Sequence, residues 1–168
     1  MRIVLAVMIL TVAPAFAQNP AAACGPAGTA FKVKLDKSLH SVEPPDAGRA
    51  RIYFIHDAAT AGDIMPLTYP TVKMAMDGSW VGANRGNSFF QVDASPGEHH
   101  FCAVLQTSFL DPRVELAHLI VEAGKTYFYR TQLLLSGEVD VLELDPVDSD
   151  EGRYLVSTFP MSLSKARH

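Results

Sequence analysis

The strongest pattern in the chain lies at 72–104, VKMAMDGSWVGANRGNSFFQVDASPGEHHFCAV, where apolar, β-branched and aromatic runs alternate with turn-forming residues. Asp77-Gly78, Asn84-Arg85-Gly86-Asn87 and Ser95-Pro96-Gly97 separate the runs, the punctuation of consecutive antiparallel strands. Val72, Met74 and Met76 share one face of the first run, with Lys73 and Asp77 opposite. Trp80 and Val81 open a short strand after the Asp-Gly turn. Phe90 and Val92 share a core face with Gln91 and Asp93 opposite, which sends Phe89 outward or toward an interface. In 99–106, Phe101, Ala103 and Leu105 alternate with His100, Cys102 and Val104.

The same period continues on both sides. Phe31, Val33 and Leu35 alternate with Lys32 and Lys34 as in a half-buried strand. The segment 36–48 contains Pro44-Pro45 and is a connection. In 49–56, Ile52 and Phe54 occupy one face and Tyr53 and Ile55 the other, the mark of a central strand. The stretch 57–70 has two prolines and no period; it reads as a long loop, a place where function concentrates. Further strands are expected at 114–122 and 125–135, after Asp111-Pro112 and joined by Ala123-Gly124, and at 139–144 after Gly137. The pattern changes at Asp145-Pro146. Asp148 or Ser149 can cap a short helix carrying Leu155, Val156 and Phe159 at helical spacing, and Gly152 weakens it. About eight or nine short strands with frequent turns predict an all-β sandwich or barrel.

The N-terminus adds an address. Arg2 supplies a positive region, 3–13 an apolar core and Ala15-Phe16-Ala17 a small-x-small cleavage site, the layout of a secretory signal peptide. The apolar stretch is shorter than the roughly 20 residues of a membrane-crossing helix. The expected division is a signal peptide at 1–17, an extended lead-in at 18–28, the β-domain at 29–160 and a flexible tail at 161–168. Cleavage near Ala17 would leave the protein periplasmic or secreted. Ala21-Ala22-Ala23 before Cys24 faintly resembles a lipobox, although Ala21 stands where a large aliphatic residue is usual. Lipid anchoring through Cys24 is therefore the alternative address.

Export gives the cysteine count meaning. The chain has two cysteines, and an oxidising compartment offers them one intramolecular pairing, Cys24 with Cys102. A bridge closing so long a loop stabilises by about 4–5 kcal/mol in the chain-entropy model. Neither cysteine belongs to a CxxC motif, which makes a redox or zinc role the weaker reading. The net charge is −4, with no run of Lys or Arg, so the footprint of a nucleic-acid binder is absent. Lys165-Ala166-Arg167-His168 reads as a solvated terminus.

One longer pattern resembles a known family. Asp77-Gly78 with Val81-Gly82, Phe89-Phe90-Gln91-Val92, Pro96-Gly97-Glu98-His99 and Gly124-Lys125-Thr126-Tyr127-Phe128 together are similar to the secreted and lipoprotein-borne domain of unknown function 2846. A looser likeness is to the PEGA domain of bacterial surface proteins. The resemblance covers about residues 46–145. It implies a single-domain antiparallel β-sandwich, Ig-like or PEGA-like, with no established activity and no site residues to carry over. Within it, Cys24-Gly25-Pro26 and Cys102 look like an accessory feature of one branch.

The chemical constellations are weak. His99 and His100 are adjacent in a strand and point to opposite faces, so they cannot chelate one metal. His118 lies between Ala117 and Leu119 as a core or sheet-face histidine, and His40 and His56 adjoin loops. Asp145, Asp148, Asp150 and Glu151 lack the spacing of a calcium loop and suit the first turn of a helix. No G-x-S-x-G elbow, G-x-G-x-x-G or P-loop occurs. No catalytic, cofactor or metal residue is assigned. Trp80 and Phe89 are the possible binding surface. The expected function is a non-enzymatic binding or structural module of the bacterial envelope, engaging a protein or glycan through edge strands or the 57–70 loop. The alternative is an envelope hydrolase or carbohydrate-processing enzyme whose site gathers His118, His56 and an acidic residue in space.

Overall fold

The computed structural model describes residues 24–58, 70–106, 113–135 and 140–167. The expectations placed on the signal peptide, most of the 57–70 loop, Asp111-Pro112 and Gly137 lie outside these residues. Among the described residues the chain forms ten strands and one helix: β1 (Ala30–Asp36), β2 (Ala50–Asp57), β3 (Thr71–Met76), β4 (Ser79–Arg85), β5 (Ser88–Ala94), β6 (Gly97–Gln106), β7 (Val114–Val121), β8 (Thr126–Leu135), β9 (Asp140–Val147), α1 (Ser149–Thr158) and β10 (Met161–Arg167). No described helix is long and apolar enough to cross a membrane.

The strands form two packed sheets, ordered β1-β10-β5-β2-β8-β9 and β4-β3-β6-β7. Apolar side chains from facing strands meet between them: Ile52 and Phe54 of β2, Val72 and Met74 of β3, Phe90 of β5, Phe101 and Leu105 of β6, and Tyr129 of β8. This is the all-β sandwich that the alternation predicts. Most pairs are antiparallel, but β2 with β8 and β5 with β10 are parallel. Between β2 and β8 the chain runs through β3–β7, and between β5 and β10 through β6–β9 and α1, well beyond the dozen residues that a parallel crossover requires.

α1 covers the middle of the second face of the six-stranded sheet. Tyr53, Ile55, Phe89 and Phe128 pack there against Leu155, Val156 and Phe159. This explains the apolar residues on both faces of β2, which lies between β5 and β8. It also corrects the expectation for Phe89. Alternation does put Phe89 opposite Phe90, but that face lies beneath a helix rather than in solvent, and Phe89 is 2% exposed.

Asp148 caps α1, its carboxylate accepting from the backbone N–H groups of Asp150 and Glu151, each at 2.9 Å. Glu151 also pairs with Arg130 of β8. Of the acidic cluster, Asp148, Asp150 and Glu151 therefore stand at the start of the helix, while Asp145 belongs to β9. Gly152 lies against Phe128, where a Cβ would fall 2.2 Å from Cγ of the ring. The absent side chain is what allows this close approach.

Two boundaries differ from expectation. β9 continues through Pro146 to Val147. It is an edge strand, where the missing proline N–H need break no ladder bond. The segment expected as a flexible tail is β10, paired with β1 from Asp36↔Met161 to Ala30↔Arg167. Ser162 and Ser164 face inward there, Ser162 donating to Ser88 Oγ at 2.8 Å and Ser164 Oγ accepting from the Ala83 N–H at 3.2 Å.

Gly152→Ala tests the helix–sheet contact. Helix propensity alone favours alanine by about 1 kcal/mol, but overpacking against Phe128 outweighs it. A net loss of about 1–3 kcal/mol is expected in urea unfolding, and a stabilised variant would refute the packing argument.

Candidate functional site

Three polar or covalent constellations arise where the strands bring distant residues together. The first is an N-terminal clamp. Cys102 faces away from the inter-sheet core, opposite in alternation to Phe101 and Ala103, and is bonded to Cys24 across 78 residues with Cα atoms 5.2 Å apart. Trp80 packs on the same outer cluster with Ala75 and Val104. Its Nε1–H donates to the Pro26 carbonyl at 2.9 Å, and a Cβ on Gly25 would lie 2.3 Å from the indole. Phe31 meets the ring edge-on at 6.5 Å. The Lys73 ammonium sits 4.3 Å from its centroid and donates to the Thr29 carbonyl at 2.9 Å. Burial pushes the Lys73 pKa down. Trp80, expected as a possible binding surface, instead holds the lead-in against the sheet.

The second is a latch across the β3–β4 turn. Asp77 and Gly78 both have positive φ, 52° and 76°, as a two-residue type I′ hairpin requires. The Asp77 carboxylate accepts from His99 Nδ1 at 2.6 Å and from the His100 backbone N–H at 2.9 Å. His99 Nε2 contacts the Ser95 carbonyl at 2.8 Å. Both ring nitrogens thus face acceptors, the arrangement that suits the imidazolium. Burial alone lowers the His99 pKa, but the bonds to Asp77 and Ser95 and the carboxylate's charge outweigh it, and the net shift is upward. Burial likewise raises Asp77, and the His100 N–H and the His99 bond and charge bring it below its ordinary value.

The third is a buried polar group at the end of β2. His56 is fully buried, its Nδ1 bonded to the Thr131 carbonyl and near Thr131 Oγ1, both at 3.1 Å. Donation to the carbonyl leaves the lone pair on Nε2, which has no hydrogen-bond partner among the described residues. Burial pushes this imidazole's pKa down despite the bond to Thr131, so it is held neutral. Asn84 donates to the Phe54 carbonyl at 2.9 Å, and Ser88 links to Ser162. His56 and Asn84 thus serve the backbone carbonyls of Thr131 in β8 and Phe54 in β2, and the serine pair joins β5 to β10.

His118 is exposed on the outer face of β7. The structure brings it to His100, directly opposite in register, with ring centroids 6.4 Å apart. The pair escapes sequence reading because it depends on the register of two strands. No group of three or more metal-ligating side chains forms among the described residues. His118 and His56 lie on different sheets and do not converge. His40 binds the Phe159 carbonyl through Nδ1 at 2.9 Å and ties the 37–46 connection to the end of α1. The outer row of β7 also carries Val114, Leu116 and Ile120, all exposed. Comparison with protein families, curated proteins and solved structures finds no match to this chain.

The latch predicts a pH profile. The folded state holds the His99 proton more tightly than the unfolded chain, so its contribution is full below the ordinary histidine value of about 6.5 and is lost as pH rises through the raised folded value. The Asp77 contribution is full above the ordinary aspartate value and is lost as pH falls through the lowered one. His56 acts with the opposite sign to His99: stability declines as pH falls through the unfolded histidine value. Urea midpoints against pH should lose their alkaline decline in His99→Gln and keep the acid limb. An unchanged alkaline decline would rule out the latch.

Proposed function

We propose that this chain works outside the cytoplasm of a bacterium, periplasmic or secreted, as a non-enzymatic binding or structural module of the envelope. The observation that carries the reading is edge strand β7. Val114, Leu116 and Ile120 stand in a row on its outer face, Ile120 with 71% of its surface in solvent. Single exposed apolar residues are ordinary, whereas a row on a rigid strand suits a protein partner. The Asp77–His99 latch, the Asp148 cap and the N-terminal clamp serve a turn, a helix end and the lead-in, and the exposed faces are where a partner would dock.

The address is supported by the signal-peptide layout of 1–17 and by the Cys24–Cys102 bond, a type of link that persists in oxidising compartments. A bridged Cys24 has no thiol left to acylate, which favours cleavage near Ala17 over lipid anchoring. The motif resemblance to domain of unknown function 2846 supports the same envelope setting.

Two measurements test this. Intact mass of the exported protein should correspond to a chain starting at Gln18 and lacking two hydrogens for the bridge; an acylated Cys24 would overturn the assignment. Affinity capture from envelope extract should recover a species that Leu116→Asp/Ile120→Asp fails to retain. The double variant should fold normally, since exposed substitutions change stability by about 0.5 kcal/mol or less each. Capture of nothing at any salt concentration, or equal capture by the variant, would count against the β7 surface.

A further inference from the structure

The basic residues of the last strand belong to a larger surface. In the β1–β10 register, Lys32 lies opposite Lys165, Lys34 opposite Leu163 and Ala30 opposite Arg167. Directly opposed residues share a face, so Lys32, Lys34, Lys165 and Arg167 project from one side of the pair. Met161, on that same side of β10, packs into the α1 cluster. The cations therefore occupy the outer face of the six-stranded sheet, away from β7. With Leu163 and Ser164 they line a shallow groove of about 590 Å³.

No described carboxylate forms an ion pair with any of the four. Asp36, at the end of β1 on this face, is engaged by the backbone N–H and hydroxyl of Ser38. Like charges directly opposite one another destabilise a strand pair, and Lys32 with Lys165 is such a pair. Lysines on an edge strand discourage sheet-to-sheet association, which accounts for β1. It does not account for β10, which is flanked by β1 and β5. In a chain of net charge −4, these four exposed cations form a positive patch that suits an anion from outside.

We propose that the groove binds an acidic polysaccharide. Cations recur at alternate residues, about 7 Å apart along each strand, which matches a polymer with repeating charge better than a single small anion. Leu163, 48% exposed in their midst, offers an apolar contact to the C–H face of a sugar ring, a feature that polyphosphate lacks. A concave groove fits a chain rather than a flat bilayer. This role goes beyond partner docking at β7 and uses the opposite outer face.

The test is titration calorimetry of the disulfide-bonded mature protein with polygalacturonate, alongside neutral dextran, long-chain polyphosphate and phosphatidylglycerol vesicles. Binding to polygalacturonate is expected, and dextran should not bind. Raising salt from about 50 to about 200 mM should weaken the affinity roughly ten- to a hundredfold through counterion release. Lys32→Glu/Lys165→Glu should reduce binding at least roughly tenfold by the same electrostatic argument. Lys32→Gln/Lys165→Gln, which only removes the like-charge pair, should also weaken binding while its melting temperature holds or rises, separating recognition from folding. Leu116→Asp/Ile120→Asp should bind polygalacturonate as wild type does, so failure of the β7 reading and failure of this one are distinguishable. The proposal is overturned by no binding to polygalacturonate, by equal affinity in the lysine variants, or by polyphosphate or vesicles binding in its place.

Discussion

The structure depends on the burial of both faces of β2. Ile52 and Phe54 fill the space between the sheets, while Tyr53 and Ile55 lie under α1. One eight-residue strand thus couples three layers, and its neighbours must be apolar on matching sides. Phe54 meets Phe90, Phe101 and Tyr129 at ring-centroid distances of 5.2–6.3 Å. On the other face Tyr53 stacks on Phe128 at 5.3 Å, and its hydroxyl accepts the Glu43 N–H at 2.9 Å, which draws the 37–46 connection onto the helix side. Aromatic contacts of this kind add to area burial and fix relative orientation.

With the core so committed, the titratable groups do structural work. Arg51 holds Asp93 through two bonds, 2.8 and 3.0 Å, and lies beside Tyr53 at the entry to β2. His99 closes the β3–β4 turn, His40 fastens the end of α1, and His56 fills a buried strand end. His99, His40 and His56 are thus dispersed, each answering a local need for a donor or acceptor, while His100 and His118 meet across the β6–β7 pair on its exposed face. The lead-in follows the same logic. A segment without periodicity gains a fixed place because a covalent bond, an indole hydrogen bond and a glycine contact act together.

The outer faces then differ in kind. The four-stranded sheet presents an apolar row on β7, and the six-stranded sheet presents cations beside α1. Neither surface uses the lone tryptophan or Phe89, the residues that sequence reasoning selected. Trp80 and Phe89 attract notice as aromatics next to turns, but large aromatics contribute most where they lose most water. The cationic face was illegible for the opposite reason: Lys32 and Lys165 are unremarkable until a register places them side by side.

What the sequence by itself determined is local. Period-two alternation located most of the strands, Asp77-Gly78 announced a turn needing positive φ, Asp148 announced a helix cap, and two cysteines admitted one intramolecular bridge. Each rests on chemistry within a few residues of the chain. Tertiary structure alone decided which faces met water. Phe89 is buried because α1 folds back over the middle of the six-stranded sheet, and the C-terminal segment is a strand because β1 lies open to pair with it. The cations on that pair are neighbours for the same reason. Alternation assigns a side chain to one of two faces, but what covers each face is set by segments far away in the chain, through burial and hydrogen bonding that no local pattern encodes.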